Sequence, residues 1–597
     1  MTSPAAGRDL TTSPRGSEGN SRLGHGVERP GVERHSISLD VTDPSPQHHD
    51  ANPAGAPTPQ EAARQFPTST PAQLSDGLPR RKILTSAAGA GGLAAAATVG
   101  LASSPVANAA GNYWRPGRWK HTPILSGSGR HLVGRFSYGI TPHLTKQVRR
   151  AGGAEKWFRQ QLYPGKVTEN KKTRELRHWW PDLFYGPQKL WERNVEGTKG
   201  GWEVMSDYAR REMNHRIHTN RQVHAVMKEF WENHLHVPVN GDGWFTWRAA
   251  YGEVFDKHAL GRFDKMLADA ITHPAMLIYL NAAGSTKKHP NENLARELLE
   301  LHTVGVGNYS EADVQDAAKL LTGYTIDYWK TWAFGYEPGN HATGKVKVRG
   351  FTHNNAHADG RAALRELLSY LAHHPDTARR LAHKLAVKFV SDEPSADLVD
   401  HLAQVYLDSN TRIRPVLLAL IGSEEFKKAR YAKVRDPGED VVATYRVLRV
   451  QVRQPTGEEQ MANQMLWQTS AMGHKPYEWN TPDGPPSRNA TWATPARALA
   501  SLEMHWGMAG GWWPSEGGKF RSDASWLPAR KLPFRALVDH LTRSLLGRSS
   551  TRKDLQAACK ATGLTPGETI TRDHALVQWQ MHKLLASILD SPHHYTH

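Results

Sequence analysis

Beyond residue 110, apolar residues recur at the three-to-four spacing of helices along most of the chain. Thr141-Pro142 places an N-cap before a proline at the first helical position and opens a segment that stops at Gly152-Gly153. Ser310 and Asp313 have the spacing of a capping box, and Val314, Ala317, Ala318 and Leu321 carry an apolar stripe towards Gly323. Leu381, Leu385 and Phe389 share one face, as do Leu398, Leu402, Val405 and Tyr406. Residues 415–421 predict a helix closed by Gly422, with Ser423 capping the next. Strand-like alternation occurs at Lys345-Val346-Lys347-Val348, inside a Gly- and aromatic-rich stretch. The pattern predicts a mainly α fold. It is a large multi-helix globular domain over 110–597, with two helical halves around a small β-hairpin excursion near 324–360.

The first 109 residues read differently. Residues 1–79 are rich in Pro, Gly, Ser and Thr and poor in aromatics, so they bury too little apolar surface to offset ordering, and a disordered leader is expected. Arg80-Arg81-Lys82-Ile83-Leu84 then supplies paired arginines, residues 87–101 a weakly apolar run, and Ala107-Asn108-Ala109 a small-x-small cleavage pattern. Residues 80–109 thus predict a twin-arginine signal peptide, and the mature protein is expected outside the cell or in the cell envelope. The apolar run is too short and too rich in Gly and Ala to remain as a membrane span, so no stable transmembrane helix is expected after cleavage. Twin-arginine export carries folded proteins, which raises the expectation of a bound metal modestly.

Charge sharpens this picture. The chain carries a formal +17, yet the first 109 residues hold nine basic and nine acidic side chains, so the whole excess lies in the mature part, with all 20 tryptophans. No helix-turn-helix or basic-aromatic module accompanies it, so a specific nucleic acid is not expected. Anionic envelope polymers, or another exported protein, fit better as partners. Trp179-Trp180 and Trp512-Trp513 offer stacking platforms for sugars, or serve the core. Cys559 is the sole cysteine, which excludes an intrachain disulfide, and a buried inert thiol is expected. The chain lacks His-Glu-x-x-His, Gly-x-Ser-x-Gly, a Walker loop, Cys-x-x-Cys-His and a strand-linked Gly-x-Gly-x-x-Gly, which removes the common hydrolase, nucleotide and c-haem assignments.

Three blocks carry candidate chemistry. In 291–305, helical spacing puts Glu292, Asn293, Arg296, Glu297 and Glu300 on one arc and His302 in the middle of the leucine arc. Either Glu292, Arg296 and Glu300 are surface ion pairs and His302 is a core histidine bonded to a carbonyl, or Glu297 is a general acid/base or a ligand, with Arg296 orienting an anion. In 230–238, His234-Leu235-His236 places two imidazoles as metal ligands, or as caps on a helix C-terminus. In 353–360, His353 and His357 are spaced to chelate from a helical turn, although Asn354-Asn355 and Gly360 favour a loop.

Together these blocks resemble one bacterial family, the uncharacterised group catalogued as domain of unknown function eighteen hundred. The likeness runs through His131-Leu132-x-x-Arg135-x-x-Tyr138-Gly139, Phe230-Trp231-x-Asn233-His234, the block 291–306, the segment 309–324, His357-x-x-Gly360, and Met472-Gly473-His474-Lys475-Pro476 with Trp479 and Pro482-Asp483-Gly484. It covers nearly all of the mature chain and implies no activity, since the family has none established. It directs attention to 230–234, 291–302 and the His357 and His474 loops. Two readings remain. One is a metal- or cofactor-dependent enzyme, hydrolytic in one version, with Glu297 and Arg296 catalytic and His234, His236, His302 and His357 as ligands of one transition metal ion. The other is a non-catalytic envelope protein binding anionic or glycan polymer, or a partner subunit.

Overall fold

The helices form where the caps stand. In the computed structural model, which describes residues 113–597 apart from Asp242, Thr141 accepts from Leu144 N at the start of Pro142–Arg150, and Ser310 and Asp313 close a reciprocal capping box on Glu311–Leu320. The leader expected at 1–79 and the twin-arginine signal peptide expected at 80–109 lie outside the described residues. The main hydrophobic core runs from Leu132 to Leu589, built almost wholly from helix faces, and a small second cluster joins Ile278, Ile326 and Trp332. Cys559 is buried within it, and burial, with Glu568 nearby, pushes its thiol up to about 11. Among the described residues no helix is long and apolar enough to cross a membrane.

The helices that position the site are α1 (Gly201–His218), α2 (Gln222–His234), α3 (Phe245–His258), α4 (Phe263–Ile271), α5 (Asn293–Glu297), α6 (Glu311–Leu320), α7 (Pro375–Phe389), α8 (Ala396–Asp408), α9 (Pro437–Leu448), α10 (Met461–Ala471), α11 (Pro495–Gly510) and α12 (Met581–Leu589). Helix α7 pairs with α8 and α11 with α12, while α1 touches α3, α9 and α10, so segments distant in sequence share the core. On α7, Leu381, Leu385 and Phe389 are buried as their spacing predicts. Each such side chain contributes about 1.5–3 kcal/mol. The adjoining flank presents Arg380, Lys384 and Lys388 one turn apart.

The excursion holds two hairpins where the alternation predicted one. Strand β1 (Tyr324–Ile326) pairs antiparallel with β2 (Phe334–Tyr336), and β3 (Val346–Val348) with β4 (Phe351–His353). Arg349 and Gly350 turn the second with positive φ at both positions, the backbone that a two-residue hairpin of this twist requires. Two further strand pairs, 451–452 with 518–519 and 531–533 with 569–571, are too short for any periodicity to announce them.

Helices α1, α2 and α3 are also joined by buried charge. Arg216 donates to Glu229 at 2.7 Å and to the Tyr477 hydroxyl at 2.5 Å, while Tyr138 donates to the other Glu229 oxygen at 2.6 Å. Lys228 meets Glu212 and Asp256, each at 2.8 Å. Glu232 accepts from Tyr208 at 2.6 Å beside Arg248. Ion pairs at this depth are fixed by mutual dependence, since each charge is tolerated only because its partner is present.

Candidate functional site

The block 291–305 does not stay helical throughout. Helix α5 covers Asn293–Glu297, and Leu298–His302 is a wider π turn, a feature common where a helix presents a side chain for a purpose. The extra residue in that turn shifts the phase that helical spacing assigns beyond Leu298. Glu300 therefore meets the Tyr309 hydroxyl instead of Arg296. Arg296 keeps Glu292 at 3.3 Å and adds a bidentate pair to Glu311 at 2.7 Å on both nitrogens, so its guanidinium is spent on carboxylates at the surface.

His234, the last residue of α2, and His302 on the π turn lie together in the core. His302 Nδ1 donates to the His234 carbonyl at 3.1 Å, and His234 Nε2 donates to the His302 carbonyl at 3.2 Å. His302 is fully buried and bonded to a carbonyl, the arrangement expected of a core histidine. His234 has a second neighbour: the Lys384 ammonium, on the flank of α7, lies 3.1 Å from its Nδ1. Burial, then Lys384 and its neighbours, holds both imidazoles well below their usual range, His302 at about 3. Both are neutral at any ordinary pH.

The remaining sequence candidates are more dispersed. His236 is buried, bonded through Nε2 to the Trp479 carbonyl at 2.9 Å, with Nδ1 unpartnered. Glu297 is half-buried, and burial, then Glu300 and Asp483, raises its carboxyl above the usual range. Its electrostatic neighbours are Tyr279, Asp483 and Glu300, not the imidazole pair. His357 is exposed on the loop after β4, while His353 turns its Nδ1 to the Asn355 amide at 2.9 Å. The structure thus joins His234 to His302 and leaves Arg296 and His357 at the surface. Among the described residues, the side chains spaced to hold a metal as a trio lie elsewhere, at Asp440, His505 and His594.

Above the Lys384–His234 contact opens a cavity of about 360 Å³, a size suited to a small molecule. Its floor is His234 and Lys384, its walls include Arg380 and Lys388, and its rim is the loop 483–488 ending in Arg488. Lys388 is neutralised by Glu439 at 2.8 Å. Neither Lys384 nor Arg380 has a carboxylate within ion-pair distance among the described residues. Arg380 Nε donates to the Leu301 carbonyl at 3.1 Å. Burial, reinforced by Arg380, pulls the Lys384 amine down to about 8, with Asp483 opposing weakly. An amine that titrates near neutrality in a cleft is a recognised mark of acid–base chemistry.

The rim is pinned by a glycine. Gly484 has φ +69°, and a Cβ there would stand 2.0 Å from the Asn233 carbonyl oxygen. Gly484→Ala should therefore lose at least about 2 kcal/mol through left-handed strain and the clash, and displace the loop from α2. Thermal unfolding checks the first effect. A variant as stable as the parent would show that the loop is not fixed by this contact.

Lys384 and Arg380 do not stand out in the sequence, because cations one turn apart on a helix flank resemble an ordinary solvated face. The flank adjoins a strongly apolar stripe, and that was the available signal. The two tryptophan pairs differ in burial. Trp179 and Trp180 are buried, whereas Trp512 is exposed and packs with Trp506 and His582.

A family profile described as "Protein of unknown function (DUF1800)" matches residues 131–596. None of the curated proteins compared with the chain matches it, and none of the solved structures does.

Proposed function

The chain belongs to the DUF1800 family of proteins of unknown function, and from that premise we propose an enzyme that performs acid–base chemistry on an anionic substrate, exported by the twin-arginine route to the cell envelope or beyond. The supporting observation is the Lys384 ammonium against His234 Nδ1 at the floor of a cavity whose second unpaired cation is Arg380. Arg380 and Arg488 attract and orient the anion. Lys384 delivers or removes a proton, and neutral His234 fixes its direction through Nδ1. His302 holds the ring by locking the backbone at the end of α2. In this reading Glu297, with its raised carboxyl, is not among the cavity's lining residues, and Arg296 orients nothing. From the family-marking segments, Phe230, Asn233, His234, Leu301, Asp483 and Gly484 line this cavity, which favours a shared site over a local packing role.

Binding of inorganic phosphate and of citrate, measured calorimetrically at low salt, tests the proposal. Arg380→Met should weaken binding at least tenfold, as should Lys384→Met, and the parent's affinity should fall steeply with added salt. Nuclear magnetic resonance of the labelled lysine should place its titration near 8. Equal affinity in parent and variants, with Lys384 titrating at the ordinary lysine value, would remove the basis for the site.

A further inference from the structure

Helix α11 carries Arg497, Ser501 and His505 one turn apart on one face, and all three converge on Asp440 of α9. Arg497 Nη2 and Ser501 Oγ occupy one carboxylate oxygen, Oδ2, at 3.0 and 2.6 Å. The other oxygen, Oδ1, faces two imidazoles: His505 Nε2 at 3.2 Å and His594 Nε2 at 3.6 Å. All three residues are buried, and their donor atoms lie within 4.8 Å of one another. His505 turns its remaining nitrogen, Nδ1, to Asp590 at 2.9 Å. The His505 and His594 rings stand at 70°, so they share an approach point without stacking.

We propose that Asp440 Oδ1, His505 Nε2 and His594 Nε2 bind a divalent transition-metal ion of the zinc type, independent of the cavity over Lys384. Tetrahedral zinc with ligand bonds of about 2.0–2.2 Å places its ligand atoms roughly 3.3–3.5 Å apart. The two distances from Asp440 Oδ1 already bracket that edge, so only the approach of the two imidazoles has to adjust. Two nitrogens and one carboxylate oxygen suit zinc, cobalt or nickel better than magnesium or calcium. Asp590 supplies the outer carboxylate that fixes the tautomer and orientation of a ligating histidine. Arg497 and Ser501 hold the ligating carboxylate from its far side, leaving one oxygen free to coordinate. The Thr444 hydroxyl, 3.1 Å from His594 Nε2, stands where a fourth ligand or its water would be held. His594 belongs to the terminal segment Pro592–Tyr595, so the ion would clasp that segment to α9 and α11.

The test is uptake of zinc and cobalt by the full mature chain after chelator treatment, read by elemental analysis and by the visible bands of tetrahedral cobalt. One equivalent should bind, and zinc should raise the unfolding midpoint. His594→Ala and His505→Ala should abolish stoichiometric uptake. Asp590→Asn, which keeps all three ligands, should weaken affinity about 10–100-fold. His302→Ala should still bind one equivalent, which separates this site from the imidazoles under the cavity. No stoichiometric uptake by the parent, or uptake unchanged in His505→Ala and His594→Ala, would overturn the proposal. Either result leaves the anion measurements at Lys384 and Arg380 as they stand.

Discussion

Replacing Arg216 with methionine should destabilise the protein by about 3–5 kcal/mol, the cost of leaving a buried carboxylate without its partner. Arg216 is 2% exposed and joins α1 to α2 through Glu229 and to the loop at Tyr477. Its guanidinium also lies over the Tyr138 and Tyr477 rings. Removing it strips Glu229 of its counter-charge while Tyr138 still donates to the other oxygen. Glu229→Gln alone should also be costly, because the guanidinium then has only an amide and a phenol to face. The double variant Arg216→Met, Glu229→Gln should lose much less than the two singles together, since no uncompensated charge remains. Chemical denaturation of all four proteins measures the coupling. Additive losses would mean that the pair does not act as a unit.

Lys384→Met should have the opposite sign. The Lys384 amine is pulled from an ordinary 10.5 to about 8, which means that the folded protein disfavours its proton. Below pH 8 both folded and unfolded chains carry that proton, and the fold bears the whole penalty, about 3 kcal/mol. Between pH 8 and 10.5 the unfolded chain keeps the proton while the folded one has released it. Parent stability therefore rises with pH across that window relative to the variant. At pH 7, without anions, Lys384→Met should unfold later than the parent, and the gap should close as pH approaches 10.5. The same variant should lose anion binding. Stability gained where binding is lost is the signature of a residue kept for its chemistry. A variant less stable than the parent at pH 7 would mean that Lys384 is a structural cation.

The helical architecture was legible because its signals are local. Caps at Thr141, Ser310 and Ser423, and apolar stripes such as Leu381, Leu385 and Phe389, state helix ends and faces within a few residues. The β pairs at 451–452 and 531–533 were not, because strands of two or three residues have no period. The block 291–302 was half legible. Helical phase places His302 among leucines, where it lies, but the π turn at Leu298 redirects Glu300, and no residue type signals such a turn. The site itself depends on pairings across long separations. Lys384 reaches His234, and Asp440 gathers Arg497 and His505, through packing that a single sequence does not express. Polar stripes on α7 and α11 were visible. What they face was not.

The rim of the cavity over Lys384 has a consequence for how a ligand would be chosen. Gly484 rests against the Asn233 carbonyl, and Pro485 and Pro486 follow it, so this wall has little conformational freedom to lose. A ligand entering would meet a preshaped opening and would not have to organise it, which lowers the ordering cost of association. Discrimination then falls to size and charge: molecules too broad for a rigid mouth are turned away however well their anionic groups would match the cations inside.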